Sequence, residues 1–383
     1  MSRNICILTQ PLRNNYGCVL QAYALQLILK RKGYNVVTDE SQYKRLPFKR
    51  LVIGRFNSII FNILSGKFNF NFFHKDIPIS YYLKANEKFR LFIKENIDTI
   101  EFFGNRRRPS KIMINKFDTF IVGSDQVWRP KFSNIYAYLL DFCKDYSVKK
   151  IAYAASFGIE TDIEFSPVIK VSTKKLATRF NAISVREDSG ISLCKSLWDI
   201  DAQLVLDPTL LLKKKDYISL VEKDSENLYP SKGSLFMYIL DKNERAESIS
   251  NIVSNKLHLR PYEIMPREKL TKQNLNNPEA YRFERVTQWL KSFIDAKFVI
   301  TDSFHGMVFS IIFNKPFLVL PNKNRGLTRF TSLLNMLSLQ NRLIVGDNLS
   351  YDILEKEIDY SSVNNNLEIL RESSIDFLFK NLK

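Results

Sequence analysis

Short apolar runs alternate with helix-like segments through most of this chain, and that alternation limits the possible folds more than any other feature. The first run, ICILT at residues 5–9, is followed by CVLQAYALQLILKRKGY, whose apolar residues recur at helical spacing up to a basic last turn and Gly33. Further β-like runs follow along the chain: NVVTDE, FDTFIVGSD, KKIAYAASFG, NAISVRED and AQLVLDPT. Alternating β and α elements predict an α/β protein in which helices cover both faces of a parallel sheet.

The chain is too long for a single hydrophobic core, since a length of 383 residues favours two or three domains. The first β/α series ends at DPTLLLKKKDY, residues 207–217, and a second series begins at GSLFMYILD, residues 233–241. We therefore expect two doubly wound, Rossmann-like domains that face each other across a cleft, with residues 1–212 in the first and 213–383 in the second. The last helix is a candidate to pack back on the first domain.

The composition combines a strong positive charge with four scattered cysteines. A formal net charge of +17 implies a negatively charged partner or substrate, such as nucleic acid, an anionic membrane surface or a phosphorylated small molecule. Because the basic residues are dispersed and no nucleic-acid-binding module is recognisable, nucleic acid is not an expected partner. The cysteines are not at metal-ligand spacing, and the sequence shows neither a signal-peptide pattern nor a membrane-spanning apolar run. We expect free thiols in a cytoplasmic protein.

One segment, residues 44–75, combines basic and apolar residues in a way that allows two interpretations. Val52, Phe56, Ile60 and Ile63 fall on one helical stripe, and lysines and arginines flank or interrupt it. This pattern is typical of a helix that lies on an anionic membrane, which would make the protein peripheral at the inner face of the membrane. The alternative is an insertion that packs on its own domain and keeps a solvated basic face.

In doubly wound sheets, ligands bind beyond the carboxyl ends of the strands, and this rule narrows the search for a site. The segments at those ends are TQPLRNNYG, GSDQVWRP, ASFGIE, SVRED, TDSFHG and PNKNRGLTRF. They contain one histidine, several arginines and several amides, but no Gly-x-Gly-x-x-Gly pattern, P-loop or His-Glu-x-x-His motif. Classical NAD binding, P-loop ATP hydrolysis and zinc chemistry are therefore not expected, and no metal site is predicted.

Six stretches, taken together and in order, resemble the polysaccharide pyruvyl transferase family. They are NYGCVLQAYALQ, FIVGSDQVW, YAASFG, ISVRED, VLDPTLLL and TDSFHGMVFSIIFNKPF, and they run from near residue 14 to near residue 330. The resemblance implies a two-domain fold like that of the B-type (GT-B) glycosyltransferases. It also implies a reaction in which phosphoenolpyruvate forms a ketal with a pair of sugar hydroxyls and releases phosphate.

The same resemblance implies the partners of the protein. The donor would be phosphoenolpyruvate, which is a substrate rather than a cofactor, and no resident cofactor is expected. The acceptor would be a saccharide of a capsule, an exopolysaccharide or a wall polymer, which in this family is often lipid-linked. We expect the acceptor on the first domain and the donor on the second.

His305 is the first candidate catalytic residue, because a histidine titrates near neutral pH and can protonate the methylene carbon of the donor. It follows a strand end and opens a helix, whose first amides, together with Ser303 and Gly306, are candidates to bind the donor phosphate. The family often carries an arginine two residues before the histidine, and Ser303 stands there in this chain. The alternative interpretation is a neutral histidine satisfied by the backbone at a helix start.

Arginine side chains are candidates to bind the carboxylate and phosphate of the donor, because a guanidinium pairs with such groups through two parallel hydrogen bonds. Arg186 in ISVRED matches the family's arginine and is predicted to act in catalysis and donor binding. Its alternative is a salt bridge to Glu187 or Asp188. The loop PNKNRGLTRF either replaces the cation missing at Ser303 or is a solvated basic turn. Its candidate donor-binding residues are Asn322, Lys323, Arg325 and Arg329.

Amide, carboxylate and aromatic side chains after the strands of the first domain are candidates to bind the saccharide acceptor. Asp125 in GSDQVW is the candidate catalytic base for a hydroxyl proton, and Trp128 offers a flat face to a pyranose ring. The alternatives are helix capping by Asp125 and burial of Trp128 as packing. The candidate acceptor-binding residues are Asn14, Asn15, Tyr16, Asp125, Gln126 and Trp128.

Two other functions stay open on the sequence. A GT-B-type glycosyltransferase would use a nucleotide sugar in the same kind of cleft, although no acidic pair for a ribose is evident near the final strands. The second alternative is a non-catalytic family member, because Ser303 replaces an arginine that the family often carries.

Overall fold

A computed structural model describes residues 3–41, 77–103, 108–321, 326–346 and 349–383 of the chain. Residues 44–75, for which the sequence allows two interpretations, lie outside the described residues. Three predicted donor-binding residues also lie outside them: Asn322, Lys323 and Arg325. No helix within the described ranges has both the length and the apolar character needed to cross a lipid bilayer.

The first half of the described chain forms a parallel sheet of seven strands. They are β1 (Asn4–Leu8), β2 (Asn35–Asp39), β3 (Thr99–Ile100), β4 (Thr119–Val122), β5 (Lys149–Ala155), β6 (Ala182–Val185) and β7 (Gln203–Leu204). Their spatial order is β3-β2-β1-β4-β5-β6-β7, and all neighbours run parallel. Successive residues of β1 enter two different cores, Ile5 and Ile7 on one face and Cys6 and Leu8 on the other. Both faces of the sheet are therefore covered.

Helices connect these strands and supply the cover on both faces. They are α1 (Tyr16–Arg31), α2 (Ile79–Ala85), α3 (Glu87–Asn96), α4 (Lys111–Ile114), α5 (Ile135–Tyr138), α6 (Pro167–Ala177) and α7 (Asp188–Trp198). Local sequence explains the bounds of α1. The Asn15 side chain accepts a hydrogen bond from the Cys18 N–H at 3.1 Å, and Lys30 and Arg31 lie at the negative end of the helix dipole. Because α1 follows β1, it starts at the carboxyl edge of the sheet.

The second half of the described chain forms a smaller parallel sheet. Its strands are β8 (Leu235–Tyr238), β9 (Pro261–Tyr262), β10 (Phe298–Thr301) and β11 (Phe317–Val319), in the spatial order β11-β10-β8-β9. Its helices are α8 (Lys214–Lys223), α9 (Glu244–Leu257), α10 (Pro278–Tyr281), α11 (Val286–Asp295), α12 (Phe304–Ile312), α13 (Thr328–Met336), α14 (Asp352–Glu355) and α15 (Tyr360–Leu382). Two parallel sheets with helical connections confirm the predicted α/β class.

A shared apolar core joins the two halves beside the carboxyl edges of their sheets. Tyr16, the first residue of α1, stacks on Trp289 of α11 with ring centroids 5.2 Å apart and planes within 5° of parallel. Its ring also lies 4.5 Å from that of Phe89, and its hydroxyl donates to the Glu284 carbonyl at 3.1 Å. The burial of Tyr16 therefore holds α1 of the first half against α11 of the second.

The last helix, α15, links the two halves a second time. At its start, the Tyr360 hydroxyl donates to the Lys315 carbonyl of the second half. Further along, the Ser374 hydroxyl accepts a hydrogen bond from the Leu206 N–H at 3.0 Å, and Phe377 lies against Tyr153 of β5. The helix therefore packs along the first sheet. The position of the domain boundary, at residue 212, stays a prediction.

Candidate functional site

A cleft of about 1030 Å³ opens where the carboxyl ends of the two sheets meet. Its walls come from the loops after β1 and β4 on one side and from the loops after β8 and β10 and the helix α13 on the other. Doubly wound sheets bind ligands at this position. The residues that line the cleft are Gln10, Pro11, Arg13, Asn14, Asn15, Cys18, Asp125, Gln126, Arg129, Phe132, Ser133, Asn134, Tyr138, Leu240, Asp241, Asp302, Ser303, Phe304, His305, Arg329 and Phe330.

His305 reaches the cleft from the second half of the chain, through the turn between β10 and α12. The Asp302 carboxylate accepts hydrogen bonds from the Leu240 and Asp241 N–H groups at 2.7 and 2.9 Å, which ties the end of β10 to the end of β8. Ser303 and the first residues of α12 follow, so that the helix N-terminus and His305 both lie at the cleft. The positive end of the helix dipole favours an anion at this place.

The imidazole of His305 is buried, yet one of its nitrogens has no hydrogen-bond partner among the described residues. This atom, Nε2, lies 3.7 Å from Asp207 Oδ2, which is too far for a hydrogen bond. Buried polar atoms nearly always have a partner. Nε2 therefore lies beside the buried Asp207 carboxylate without a hydrogen bond, while His305 as a residue lines the cleft.

Gly17, the second residue of α1, packs directly against the imidazole. A β-carbon at Gly17 would lie 2.0 Å from Nδ1 and 2.1 Å from Cγ of His305. The absence of a side chain allows α1 to approach the ring this closely. The first half of the chain thus positions a histidine that belongs to the second half.

We expect Gly17→Ala to displace the His305 ring and to destabilise the fold. Alanine is the better helix former by roughly 1 kcal/mol, but a methyl group that overlaps a buried ring forces α1 or α12 to shift. The net loss in the free energy of unfolding should be roughly 1–3 kcal/mol, measured by urea titration.

A double-mutant cycle with His305→Ala tests the cause of that loss. The second substitution removes the ring but keeps a β-carbon 2.6 Å from the new methyl group, so the cost of Gly17→Ala should fall without vanishing. An equal cost with and without the imidazole would contradict the close packing.

Asp207, which follows β7, connects His305 to a buried network of ion pairs. Its Oδ2 accepts hydrogen bonds from Arg186 Nη1 at 2.8 Å and Ser124 Oγ at 2.9 Å, and its Oδ1 accepts two from Thr209. Burial opposes the charge, but His305 and Arg186 outweigh burial and hold the pKa of the Asp207 carboxyl well below its usual range. Asp207 therefore stays ionised and supplies a counter-charge for a protonated imidazole.

Arg186 lies behind the cleft rather than in it. Its guanidinium is 1% exposed and pairs with Asp207 at 2.8 Å, with Asp125 at 2.9 Å and with Glu187 at 3.9 Å. The ring of Phe304 covers it at 4.8 Å. Three carboxylates already neutralise this cation, which argues against the predicted donor contact. The pair with Glu187 is one of the two salt bridges that the alternative interpretation of Arg186 proposed.

Asp125 lines the cleft, but its carboxylate is a poor base. Burial works against its charge, yet the surrounding positive charge, from Arg186 foremost, outweighs burial and lowers the pKa of Asp125 below its usual value. Arg186 Nη2 and the Gln126 N–H both donate to its Oδ1, at 2.9 and 2.8 Å. The geometry therefore argues against the predicted role of general base and gives Asp125 a part in holding Arg186.

Arg329 is a buried cation that α13 brings to the cleft. Burial and the like charge of Arg186 lower the pKa of Arg329 to about 10, so it remains charged at neutral pH. The amide of Gln126 lies against the guanidinium and, with its oxygen on that side, accepts hydrogen bonds from Nη1 at 3.0 Å and Nη2 at 3.1 Å. Asp125 and Glu187 partly compensate this charge, and the place of Arg329 on the cleft makes it a candidate contact for an anionic ligand.

Two of the predicted donor-binding residues near His305 have different surroundings. Ser303 lines the cleft. Gly306 faces the second sheet, where a β-carbon would lie 2.1 Å from Thr301 Oγ1 and 2.9 Å from Tyr238 Cδ1. The glycine allows α12 to pack on the sheet, and its predicted donor contact is not supported.

The predicted acceptor-binding residues divide into a cleft-lining and a buried group. Trp128 is fully buried and packs edge-on against Trp198, 5.0 Å away, while Tyr16 stacks on Trp289 in the shared core. This burial argues against the predicted saccharide contacts of Trp128 and Tyr16, because both rings bury their apolar surface in the cores of the protein. The residues that do line the cleft are Asn14, Asn15, Asp125 and Gln126.

Four residues that shape the site carry only weak sequence signals. Gly17 and Asp207 lie within NYGCVLQAYALQ and VLDPTLLL, two stretches that carry the family resemblance, and this placement is a usable signal. Arg129 and Phe132 follow Trp128 on the same loop, where nothing in the sequence tells a buried ring from an exposed one.

Within the described ranges, no group of three or more His, Cys, Asp or Glu side chains is arranged to hold a metal ion. The expectation that the site has no metal stays a prediction. The four cysteines are buried, unpaired thiols, and burial raises the pKa of the Cys18 thiol at the cleft well above its usual value.

Two facing parallel sheets, with Arg329 and the N-terminus of α12 at the cleft between their carboxyl edges, define a two-domain α/β protein with a place for an anionic ligand. The chain belongs to the polysaccharide pyruvyl transferase family, whose model matches residues 15–324. This match confirms the family predicted from the sequence. No curated protein matches the sequence significantly.

Several solved structures are similar to this chain over nearly its whole length. UDP-GlcNAc 2-epimerase from Neisseria meningitidis bound to UDP-GlcNAc has a TM-score of 0.49 at 9% identity, covering 99% of both chains. UDP-N-acetylglucosamine 2-epimerase from Rickettsia bellii has a TM-score of 0.48 at 11% identity, covering 99% of this chain and 97% of that chain. Arabidopsis thaliana UGT89C1 complexed with quercetin has a TM-score of 0.46 at 11% identity, covering 100% and 98%. Similarity at this level carries no argument about substrate.

Proposed function

We propose that this protein transfers the pyruvyl group of phosphoenolpyruvate to a pair of hydroxyls on a saccharide, forming a pyruvate ketal and releasing phosphate. The observation that carries the proposal is the convergence of His305, Arg329 and the N-terminus of α12 on one cleft. A small donor with a carboxylate, a phosphate and a protonatable methylene carbon suits that combination. Membership of the transferase family supports the same reaction.

The proposed reaction uses His305 first as an acid and then as a base. The imidazolium gives its proton to the methylene carbon of phosphoenolpyruvate, and the adjacent carbon becomes oxocarbenium-like. The first sugar hydroxyl attacks that carbon and returns its proton to the imidazole. The second hydroxyl replaces the phosphate, which leaves with the second proton. One donor and one diol thus give one ketal and one phosphate.

The ionised Asp207 beside the imidazole supports this role of His305, since it offsets the positive charge of the imidazolium before the proton is given to the donor. Arg329 takes the place of the arginine missing at Ser303, because it brings a buried positive charge to the same cleft. In this proposal phosphoenolpyruvate is a substrate, and the saccharide belongs to a polysaccharide precursor.

Arg329→Gln is expected to raise the KM for phosphoenolpyruvate roughly 10- to 100-fold, as the loss of a charge-assisted hydrogen bond would. The same substitution removes two hydrogen bonds to Gln126 together with a charge that burial and Arg186 oppose, so the melting temperature should stay within a few degrees of the wild-type value. Steady-state kinetics and thermal unfolding measure the two effects.

The matched control is Arg179→Gln, which removes an exposed arginine that donates to the Lys144 carbonyl away from the cleft. Its KM should equal that of the wild type, and Arg329→Lys should recover part of the lost affinity. A KM for Arg329→Gln within twofold of the wild type would rule out donor binding by this residue.

The proposed function is tested by phosphate release from phosphoenolpyruvate across a panel of galactosides, mannosides and glucosides, with mass spectrometry of the products. We expect acceptor-dependent phosphate release and a ketal product. Turnover of a nucleotide sugar on the same panel, without use of phosphoenolpyruvate, would replace this function with glycosyl transfer. Failure of both donors would indicate a non-catalytic protein.

A further inference from the structure

The first half of the chain presents an aromatic ring to the cleft. Phe132, in the loop between β4 and β5, is 65% exposed and lines the cleft on the side that belongs to the first sheet. Exposure of a single apolar residue is common in proteins. The way in which this ring is held distinguishes it from an ordinary surface residue.

Hydrogen bonds fix the loop beneath the ring. The N–H groups of Phe132 and Ser133 both donate to the Arg129 carbonyl, at 3.0 and 2.9 Å. The Ser133 hydroxyl donates to the Gln126 carbonyl at 2.7 Å, and the Gln10 amide donates to that hydroxyl at 2.6 Å. The loop is therefore anchored both to itself and to the segment after β1.

One face of the ring is already occupied. The guanidinium carbon of Arg129 lies 4.1 Å from the centroid of the Phe132 ring. The Glu164 carboxylate holds that guanidinium through Nε at 3.1 Å and accepts the Lys131 N–H at 3.2 Å. The cation and the loop backbone are thus clamped by one buried carboxylate. Within the described residues the Phe132 ring stays 65% exposed, so its other face is accessible to a ligand, and the ring needs no rearrangement to bind one.

We propose that Phe132 is the platform on which the sugar ring of the acceptor stacks, with Arg129 fixing the platform from behind. The C–H face of a pyranose suits an aromatic face, and the hydroxyls at its edge suit the amides of Asn14 and Asn134 in the same cleft. This assignment rests on the proposed function, and it gives Phe132 the role that the sequence suggests for Trp128.

The test is saturation-transfer difference NMR on the full chain without any donor. The probes are methyl β-D-galactopyranoside, methyl β-D-glucopyranoside and methyl α-D-mannopyranoside. We expect at least one probe to bind, with the strongest signals on one face of its ring. Phe132→Ala should weaken that binding about fivefold or more, and Phe132→Tyr, which keeps the ring, should remain within about twofold of the wild type.

Ile163→Ala is the matched control, because Ile163 is an apolar residue that is 84% exposed, directly precedes Glu164 in the sequence and is not among the residues that line the cleft. It should bind the probe like the wild type. An equal loss in Ile163→Ala and Phe132→Ala would point to a general apolar surface, such as one that contacts lipid, and would overturn the proposal. No binding of any probe to the wild type, or unchanged binding to Phe132→Ala, would also overturn it.

This experiment separates the sugar site from the proposed reaction. Probe binding that depends on Phe132, in a protein that forms no ketal, would leave the sugar site standing and overturn the pyruvyl transfer. Ketal formation with an unchanged acceptor KM in Phe132→Ala would leave the reaction standing and overturn the sugar site.

Discussion

His305→Ala is expected to lower kcat/KM for pyruvyl transfer by roughly 10²–10⁴-fold, the usual contribution of a general acid–base group. The imidazole is the proposed source of the proton that reaches the methylene carbon of the donor. Its Nε2 has no hydrogen-bond partner within the described ranges, so the substitution breaks no hydrogen bond of that atom. The variant should therefore fold, and initial rates of phosphate release in the presence of the acceptor measure the loss.

His258→Asn provides the matched control for that experiment. His258 is an exposed histidine after α9 with φ of 51°, a left-handed conformation that asparagine tolerates well. The control should retain wild-type rates. A His305→Ala enzyme with more than a tenth of the wild-type kcat/KM would exclude His305 as the proton donor.

Asp207→Asn is expected to destabilise the fold by about 3 kcal/mol, because it leaves the buried Arg186 guanidinium without one of its carboxylates. The substitution also weakens the acceptor for Ser124 and removes the counter-charge beside His305. We expect a lower free energy of unfolding in urea at pH 7, together with a loss of activity at temperatures where the variant is still folded.

The difference in the free energy of unfolding between the wild type and Asp207→Asn should depend on pH, and the pKa of Asp207 determines the direction of that dependence. An aspartate in an unfolded chain has a pKa of about 3.9, and the pKa of Asp207 in the folded protein lies well below that value. The ionised carboxylate therefore contributes its full stabilisation above about pH 5, and that contribution is lost as the pH falls toward the folded-state pKa. The stability difference should shrink below about pH 4.

Asp199→Asn is the control for both effects. Asp199 is an exposed residue after α7 with φ of 58° and a surface ion pair to Lys195, and asparagine suits this conformation. Its substitution should leave stability at pH 7 unchanged. If the difference in the free energy of unfolding between Asp207→Asn and the wild type stays constant down to pH 3, the Asp207 charge does not stabilise the fold.

The fold class could be predicted because it depends on the order of elements, which the sequence displays directly. Runs such as ICILT and FDTFIVGSD are apolar at consecutive positions, and this pattern requires burial on both faces of a sheet. The approximate position of the cleft follows from the same order, since strand ends meet at one edge.

The roles of individual side chains at that edge could not be predicted equally well. Arg186, Trp128 and His305 all follow strands in the sequence, yet only His305 of these three lines the cleft. The Arg186 side chain points inward because ion pairs with three carboxylates offset the cost of burying its charge. The Trp128 side chain points inward because it packs against other aromatic rings. Such outcomes depend on partners that are distant in the chain, which local patterns do not reveal.

The contacts of His305 show the same limit. Gly17 and Asp207 belong to the first half of the chain and meet His305 only when the two halves are assembled. The strand-to-helix turn of TDSFHG could be located from the sequence, whereas the residues that pack against its histidine could not.

Proton transfer to the methylene carbon of phosphoenolpyruvate is the central claim, and running the reaction in deuterium oxide tests it most directly. Mass spectrometry and NMR of the isolated saccharide product report the isotope content of its pyruvyl methyl group. We predict a ketal whose methyl group carries a deuterium from solvent, formed by His305→Ala at least about a hundredfold more slowly than by the wild type. A ketal without solvent deuterium, or an unsaturated enolpyruvyl ether that keeps its methylene group, would contradict the account.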